Sequence, residues 1–100
     1  MADPAPNLRL ARPDAPPAPD AADVFAILVR EHGERLLAYL RASVPSSAVD
    51  DLFQDTVLVA WRRLGDYDRT RPFGAWLRGI ARNIVMDFWS RAGRERQPRA

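Results

Sequence analysis

The chain has 100 residues, which suits one small domain, and 47% of them are hydrophobic, enough for a modest core. Its formal net charge is +2, and all 15 basic residues are arginine because lysine is absent. The planar guanidinium group suits phosphates and base edges, so a nucleic-acid partner is one explanation of this composition. A GC-rich genome is the other, and composition alone does not separate the two.

Several classes of protein are excluded by what the sequence lacks. It contains no cysteine, which rules out disulfides and thiolate metal sites. The single histidine, His32, falls within a helical pattern, and we expect it to have a packing or surface role. No stretch approaches the roughly 20 apolar residues that span a bilayer, and the N-terminus lacks the features of a secretion signal. We therefore expect a soluble, cytoplasmic protein without a metal or other cofactor.

The first segment of the chain differs in composition from the rest. Residues 1–19 hold most of the nine prolines and few apolar groups. Proline supports neither a helix interior nor a sheet ladder, so we predict a disordered or extended Pro/Ala-rich arm. Docking of its Leu8-Arg9-Leu10 stretch is possible, but a free tail is the simpler interpretation. Residues 20–96 are predicted to form a helical domain, and 97–100 the start of a linker or tail.

Helical periodicity begins after this arm. Asp20 or Asp23 can cap a first helix that is predicted to run to about Ala42. Its apolar side chains recur at steps of three and four residues: Phe25, Leu28, Val29, His32, Leu36 and Leu40. Pro45 ends this helix, and Ser46 or Ser47 is expected to cap the next one.

Two further helices complete the predicted fold. The second covers about Ala48 to Leu64, and its apolar residues are Val49, Leu52, Phe53, Val57, Ala60, Trp61 and Leu64. A loop, GDYDRTRP, follows, and Pro72 is expected to open a third helix that ends near Arg91 before a fraying basic tail. Since no stretch alternates like a strand, the predicted fold is all-α, a compact bundle of three main helices.

The second helix is charged unevenly. From Ala48 to Trp61 it carries Asp50, Asp51 and Asp55 and no basic residue. Asp51 and Asp55 share one face, where like charges cost a few tenths of a kcal/mol in an isolated helix. Aspartate in a first turn complements the helix dipole, but Asp55 lies too far along for that explanation. This face is either simply solvated or a docking surface for a basic partner.

The third helix, FGAWLRGIARNIVMDFWSR, has two distinct faces. Its core-facing arc is predicted to contain Phe73, Leu77, Ile80, Ile84 and Phe88. The opposite side carries Arg78, Arg82, Met86 and Trp89, flanked by Gly79, Asn83 and Ser90. Arginine binds phosphates, aromatic rings stack on bases and an amide reads a base edge, which favours single-stranded nucleic acid as a partner. A solvated basic face, with Trp89 packed against the neighbouring helices, is the alternative.

Catalysis is not indicated by any motif. The sequence contains no glycine-rich phosphate loop, no Ser-His-Asp set and no metal-ligand cluster. Asp87 and Arg91 lie four residues apart and are expected to form a structural pair along the helix rather than acid–base machinery. We therefore predict that the chain is not an enzyme.

The segment from Val49 to Arg91 contains a series of short motifs: Asp50-Asp51-Leu52-Phe53-Gln54-Asp55-Thr56, then Trp61 and Leu64, then Pro72-Phe73, Trp76-Leu77 and Ile80-Ala81-Arg82-Asn83. In this series the segment resembles the second conserved region of bacterial sigma factors, in particular the small extracytoplasmic-function (ECF) group of the sigma-70 family. The resemblance extends over about residues 23–96. The last acidic–basic pair, Asp87 and Arg91, is spaced by four residues where that family has three, which leaves the roles of these two residues open.

The resemblance implies two binding surfaces. The acidic helix would dock on the clamp helices of the RNA polymerase β′ subunit through Asp51, Gln54, Asp55 and Leu58. The third helix and the loop before it would hold the non-template strand of the promoter minus-ten element as the duplex melts. The residues implied at this DNA surface are Tyr67, Asp68, Arg69, Arg71, Trp76, Arg78, Arg82 and Asn83. Tyr67 is the candidate stacking platform, Asn83 the candidate base reader, and Arg78 and Arg82 the candidate phosphate ligands.

The resemblance leads to two further expectations, and two alternative functions stand beside it. An anti-sigma protein is an expected inhibitory partner. No helix-turn-helix pattern for the minus-thirty-five element follows Arg91, so we expect an isolated domain or a piece of a longer factor. Two alternative functions remain: a three-helix domain that binds duplex DNA, and a protein-interaction bundle anchored by Trp76 and Trp89.

Overall fold

The computed structural model describes residues 19–96, which form three α-helices and a short 3₁₀ turn with no strand in that range. The helices are α1 (Pro19–Ser43), α2 (Ser46–Arg62) and α3 (Phe73–Arg96), and the 3₁₀ turn covers Leu64–Asp66. The predicted all-α bundle of three main helices is confirmed for this part of the chain. The predicted arm over 1–19 and tail over 97–100 lie outside it, except that Pro19 is the first residue of α1.

The ends of α1 differ slightly from the prediction. The helix begins at Pro19, so neither Asp20 nor Asp23 precedes it as a cap. Proline suits the first helical position because its missing N–H would have no partner there, and Asp20 in the first turn complements the helix dipole. At the other end the Ser43 hydroxyl donates to the Tyr39 carbonyl at 2.6 Å. Pro45 then prevents the helix from continuing.

Helix α2 starts earlier and ends earlier than predicted. Ser46 is its first residue and Pro45 occupies the cap position without a side-chain hydrogen bond, so the predicted serine cap is wrong. The Pro45 carbonyl instead accepts from the Ala48 amide at 2.9 Å. The helix ends at Arg62 rather than Leu64, because the chain tightens into the 3₁₀ turn, where the Asp66 amide donates to the Arg63 carbonyl at 2.9 Å.

Helix α3 extends further than the sequence indicated. It begins at Phe73, and the carbonyl of the preceding Pro72 accepts from the Trp76 amide at 3.2 Å. It continues to Arg96, so residues 92–96 are helical rather than part of a frayed tail. Two i,i+4 side-chain pairs join its last turns: Asp87 with Arg91 at 3.0 Å and Ser90 with Arg94 at 3.2 Å. Such pairs support a helix, and the expected structural pairing of Asp87 with Arg91 is confirmed.

The three helices contact one another pairwise and enclose one core. Its buried hydrophobic residues are Phe25, Leu36, Leu40, Val44, Val49, Leu52, Ala60, Phe73, Leu77, Ile80, Ala81 and Val85. Most belong to the predicted apolar sets. Ile84 and Phe88, predicted in the core arc of α3, are only half buried, because both line an open groove between α2 and α3.

Thr56 is a core residue that the apolar pattern did not identify. It is fully buried, and its hydroxyl donates to the Leu52 carbonyl one turn earlier at 2.7 Å. A buried hydroxyl is tolerated when it has a hydrogen-bond partner, and here the partner lies within the same helix. The side chain therefore fills the space of a small apolar residue in the centre of the bundle.

The Phe73 ring joins the start of α3 to α1. Its centroid lies 6.1 Å from that of Phe25 and 5.5 Å from that of His32. His32 therefore has the expected packing role. It reaches Phe73 past Gly74, where a Cβ atom would lie 2.8 Å from the His32 Nδ1 atom. The missing side chain at Gly74 gives the imidazole its position.

Replacing Gly74 by alanine should lower the free energy of unfolding by about 1 kcal/mol, because the new methyl group displaces the His32 ring from Phe73. Urea unfolding measures this. Gly79→Ala is the matched control on the same helix, since a Cβ at Gly79 meets nothing within 4 Å. That change should raise stability by up to about 1 kcal/mol through helix propensity. Equal gains in both variants would show that the His32 contact contributes nothing.

Candidate functional site

The outward face of α3 carries the predicted arginines. Arg78, Arg82 and Asn83 are exposed, whereas Leu77, Ile80 and Ala81 of the same turns are buried. Arg78 and Arg82 lie four residues apart, so their guanidinium groups project from neighbouring turns. Gly79 lies between them with open space where a side chain would be. A chain of phosphates could therefore approach the helix backbone closely at this point.

Asn83 belongs to a second flank of this face. It lies seven residues after Trp76, which is two helical turns and about 10 Å along the axis. Trp76 is half buried, and its ring centroid lies 5.5 Å from that of Phe73. The structure thus places an amide and an aromatic edge on one flank, beside the two arginines.

The predicted stacking residue, Tyr67, is packed against other aromatic rings of the protein. Its ring centroid lies 4.9 Å from that of Trp76 and 5.6 Å from that of Phe73, with the latter ring edge-on. Its hydroxyl donates to the Arg71 carbonyl, which closes the loop before α3. The residue is half buried rather than free in solvent. Tyr67 therefore forms the floor of the loop, and only part of its ring faces outward.

Asp68 organises the exposed loop that follows. Its Oδ1 atom accepts from the Thr70 amide at 2.9 Å and from the Thr70 hydroxyl at 2.7 Å. Its Oδ2 atom lies 3.7 Å from the Arg71 guanidinium, and the Arg71 amide donates to the Asp68 carbonyl at 2.9 Å. The Thr70 hydrogen bonds, with a smaller contribution from Arg71, lower the pKa of Asp68. Arg69 is exposed at the tip of this turn.

The acidic face of α2 is exposed as a continuous strip. Asp51, Gln54 and Asp55 all face solvent, and the Leu58 side chain is 46% exposed. On this helix Val49, Leu52, Thr56 and Ala60 point into the core. An exposed leucine beside two carboxylates and an amide suits a protein partner that offers basic groups around an apolar contact.

The same strip forms one wall of the groove between α2 and α3. Asp55 and Leu58 line it from α2, and Asp87, Phe88 and Arg91 line it from α3. The groove is open to solvent, with an apolar floor and charged rims. The acidic strip of α2 therefore faces the C-terminal half of α3 across this groove, whose lining does not include Arg78, Arg82 or Asn83.

Trp89 packs against a neighbouring helix, as one of the two interpretations of the sequence expected. Its indole N–H donates to the Ser43 carbonyl at 2.9 Å, although the side chain remains 41% exposed. Ser43 is the last residue of α1, where carbonyl groups lack partners within the helix. The expected packing of Trp89 against a neighbouring helix is therefore confirmed, and the exposed part of the ring lies on the same side of α3 as Arg78 and Arg82.

Hydropathy adds one finding about the described residues. Within 19–96, none of the helices combines the length and the apolar character that crossing a membrane requires.

Comparison with known proteins gives consistent matches. The profile of the family described as Sigma-70 region 2 matches residues 28–95. The chain is 43% identical over 66 residues to the RNA polymerase sigma factor CnrH of Cupriavidus metallidurans, covering 65% of this chain and 35% of that protein. It is 40% identical over 70 residues to the ECF RNA polymerase sigma factor BldN of Streptomyces coelicolor, covering 68% of this chain and 26% of BldN.

A third relative, the ECF RNA polymerase sigma factor SigL of Mycobacterium tuberculosis, is 35% identical over 82 residues, covering 78% of this chain and 45% of SigL. The chain thus spans less than half the length of each of these curated relatives. No solved structure matches it at a significant level.

The Asp68 contacts generate a prediction about the loop. Asp68→Ala removes the acceptor of both Thr70 bonds, so the Thr70 amide should exchange with solvent several-fold faster, as measured by hydrogen exchange. Arg69→Ala, in the same turn, is the matched control and should leave that exchange rate unchanged. Because the pKa of Asp68 is lowered, its carboxylate stays ionised to a lower pH than that of an ordinary aspartate. The two hydrogen bonds from Thr70 should therefore weaken only as the pH falls through the pKa that Asp68 has in the folded protein. Fast exchange in both variants would contradict this role for Asp68.

Proposed function

This chain belongs to the sigma-70 region 2 family, as region 2 of an ECF sigma factor, and from that membership we propose that it directs transcription initiation by binding RNA polymerase and promoter DNA. In this proposal α2 docks on the β′ clamp helices, and α3 with its preceding loop binds the non-template strand of the minus-ten element. The family resemblance recognised in the sequence is confirmed. Docking and melting are the proposed steps.

One observation supports the proposal most directly. The bundle exposes an acidic strip on α2 and an arginine–amide face on α3, while the apolar sides of both helices are buried. Two surfaces of opposite charge suit two partners of opposite charge, one basic protein surface and one polyanion. A domain that gripped duplex DNA alone would have no use for the acidic strip.

The DNA strand would be held by groups with separate tasks. Arg78 and Arg82 bind phosphates, which positions the strand without reading its sequence. Asn83 offers an amide that recognises a base edge through two hydrogen bonds, and Trp76 supplies an aromatic edge on the same flank. Arg69, exposed at the loop tip, adds a cationic contact to the strand as it enters the site.

The loop before α3 would form the pocket for an extracted base. Tyr67 provides the floor of that pocket rather than a mobile ring, because Trp76 and Phe73 hold it in place. Asp68 and Arg71 keep the loop in shape through their mutual contacts. Extracting a base costs a few kcal/mol, which stacking and hydrogen bonding in a preformed pocket can offset. No covalent bond is made or broken at this step, so the domain acts as a binding module and not as an enzyme.

The polymerase would be bound by the strip of Asp51, Gln54, Asp55 and Leu58. The carboxylates attract basic side chains of the clamp helices, and Leu58 provides the apolar contact that excludes water at the centre. An anti-sigma protein that covered the α2 strip or the α3 face would keep the factor inactive. Each of these surfaces can be tested independently.

The DNA surface is tested by anisotropy titration of the whole chain with labelled single-stranded DNA carrying candidate minus-ten sequences. Asn83→Ala should reduce discrimination between the preferred sequence and its single-base variants by about 1–3 kcal/mol, because a base-edge contact is lost. Arg82→Ala should weaken binding to every sequence alike and reduce the slope of log affinity against log salt by about 1, because a phosphate contact is lost.

Arg30→Ala is the matched control for this experiment. Arg30 is exposed on α1, beside the groove between α1 and α2 and away from the α3 face, so its removal should change neither specificity nor salt slope. Tight binding to duplex DNA, with Asn83→Ala affecting no base position, would instead favour a duplex-binding domain.

The polymerase surface is tested by reversing its charge. Asp51→Arg combined with Asp55→Arg should abolish capture of the chain by an immobilised β′ clamp-helix fragment, because both carboxylates become repulsive to a basic partner. Glu31→Arg combined with Glu34→Arg adds the same charge on α1 and should leave capture intact. Circular dichroism checks that both variants fold. Equal capture of both double variants would remove the α2 strip from the proposal.

A further inference from the structure

A second groove, between α1 and α2, is not used by the proposed function. It has a volume of about 560 Å³ and is open along one side. Its lining is apolar except for Arg30 and Glu34, and it includes Val29, Phe53 and Val57. An exposed apolar concave surface on a small domain is a candidate site for a binding partner.

Gly33 lines this groove without filling any of it with a side chain. It is buried in the lining, and a Cβ atom there would lie 3.8 Å from the Phe53 Cζ atom, an ordinary contact. Alanine would therefore fit without a clash and would favour the helix, since glycine is unfavourable in a helix interior. Folding alone does not explain a glycine at this position. Its absent side chain leaves room in the groove for an occupant.

We propose that the groove is filled by the chain's own N-terminal segment, with Leu8 and Leu10 packed against Val29, Phe53 and Val57. These are the only two leucines before α1. Neither takes part in the polymerase or DNA surface, so this proposal is independent of the proposed function.

The chain length permits this arrangement. Eight residues separate Leu10 from Pro19, where α1 begins. At about 3.3 Å per residue these residues and the flanking bonds reach up to about 30 Å. Val29 lies ten residues into α1, only about 15 Å along its axis. The segment can therefore turn at the start of α1 and run back alongside it to the groove.

One charge of the segment fits this position. Counting backwards from Pro19, the charged residues are Asp14, Arg12 and then Arg9, which lies between the two leucines. Counting forwards along α1, the groove presents Val29 first and exposed Glu34 later. With Leu10 beside Val29 and Leu8 further along towards Phe53, Arg9 lies within reach of the Glu34 carboxylate, which attracts it.

A spin label tests the proposal on the whole chain. The protein has no cysteine, so Asn7→Cys provides a unique attachment site beside Leu8 for a nitroxide. In NMR spectra of labelled protein, the methyl signals of Val29 and Val57 should lose intensity relative to the reduced label, whereas the Trp89 indole signal should not. Leu8→Asp with Leu10→Asp should restore the methyl intensities. Ala2→Asp with Ala5→Asp adds the same charge, keeps both leucines and should preserve the loss.

Two further measurements separate the possible occupants. Gly33→Ala should reduce the intensity loss in a folded domain, because it raises the floor of the groove. In a mixed sample, one set of chains carries the nitroxide and the other set carries the isotope label. The methyl signals of the isotope-labelled chains should then keep their full intensity, because the segment of one chain does not enter the groove of another. Intensity loss in the mixed sample would assign the groove to a second copy and overturn the proposal. Full methyl intensity in the labelled chain, or an undiminished loss in Gly33→Ala, would also overturn it.

Discussion

The packing of the Phe73 ring is the contact on which the rest of this domain depends. The ring is 5% exposed and lies against Phe25 and His32 of α1, against Tyr67 of the loop and against Trp76 of its own helix. One side chain thus fixes the first turn of α3 to α1 and to the loop at the same time. Because a helix is rigid, fixing its first turn also fixes which of its faces points outward along its length.

Rotation of α3 about its axis is therefore what separates core from site. Leu77 and Ala81 are buried in the bundle, and the residues that directly follow them, Arg78 and Arg82, are exposed. A rotation by a single residue would bury guanidinium groups without partners, which is costly. The apolar packing that stabilises the fold thus also determines which charged groups of α3 are exposed.

The same division between an apolar and a charged side holds in α2. The core side of α2 carries small or branched side chains, and the Thr56 hydroxyl is hydrogen-bonded to a carbonyl of the same helix. The carboxylates of α2 all lie on its solvent side. The groove beside the α2 strip is bounded on its other side by Asp87, Phe88 and Arg91 of α3.

The sequence by itself determined the helical class, the three main helices and the segregation of charge, because period and composition act over short distances along the chain. It also carried the motifs that identify the family. Only the tertiary structure decided the position of Tyr67, whose ring is held by Trp76 from the next helix, and the hydrogen bond from Trp89 to the end of α1. The exact helix ends, such as the start at Ser46, were likewise decided by backbone hydrogen bonds that no side-chain pattern records. Periodicity shows which side of a helix is apolar. A contact between residues distant in sequence depends instead on how the helices are placed against each other, and the packing of the whole bundle determines that placement.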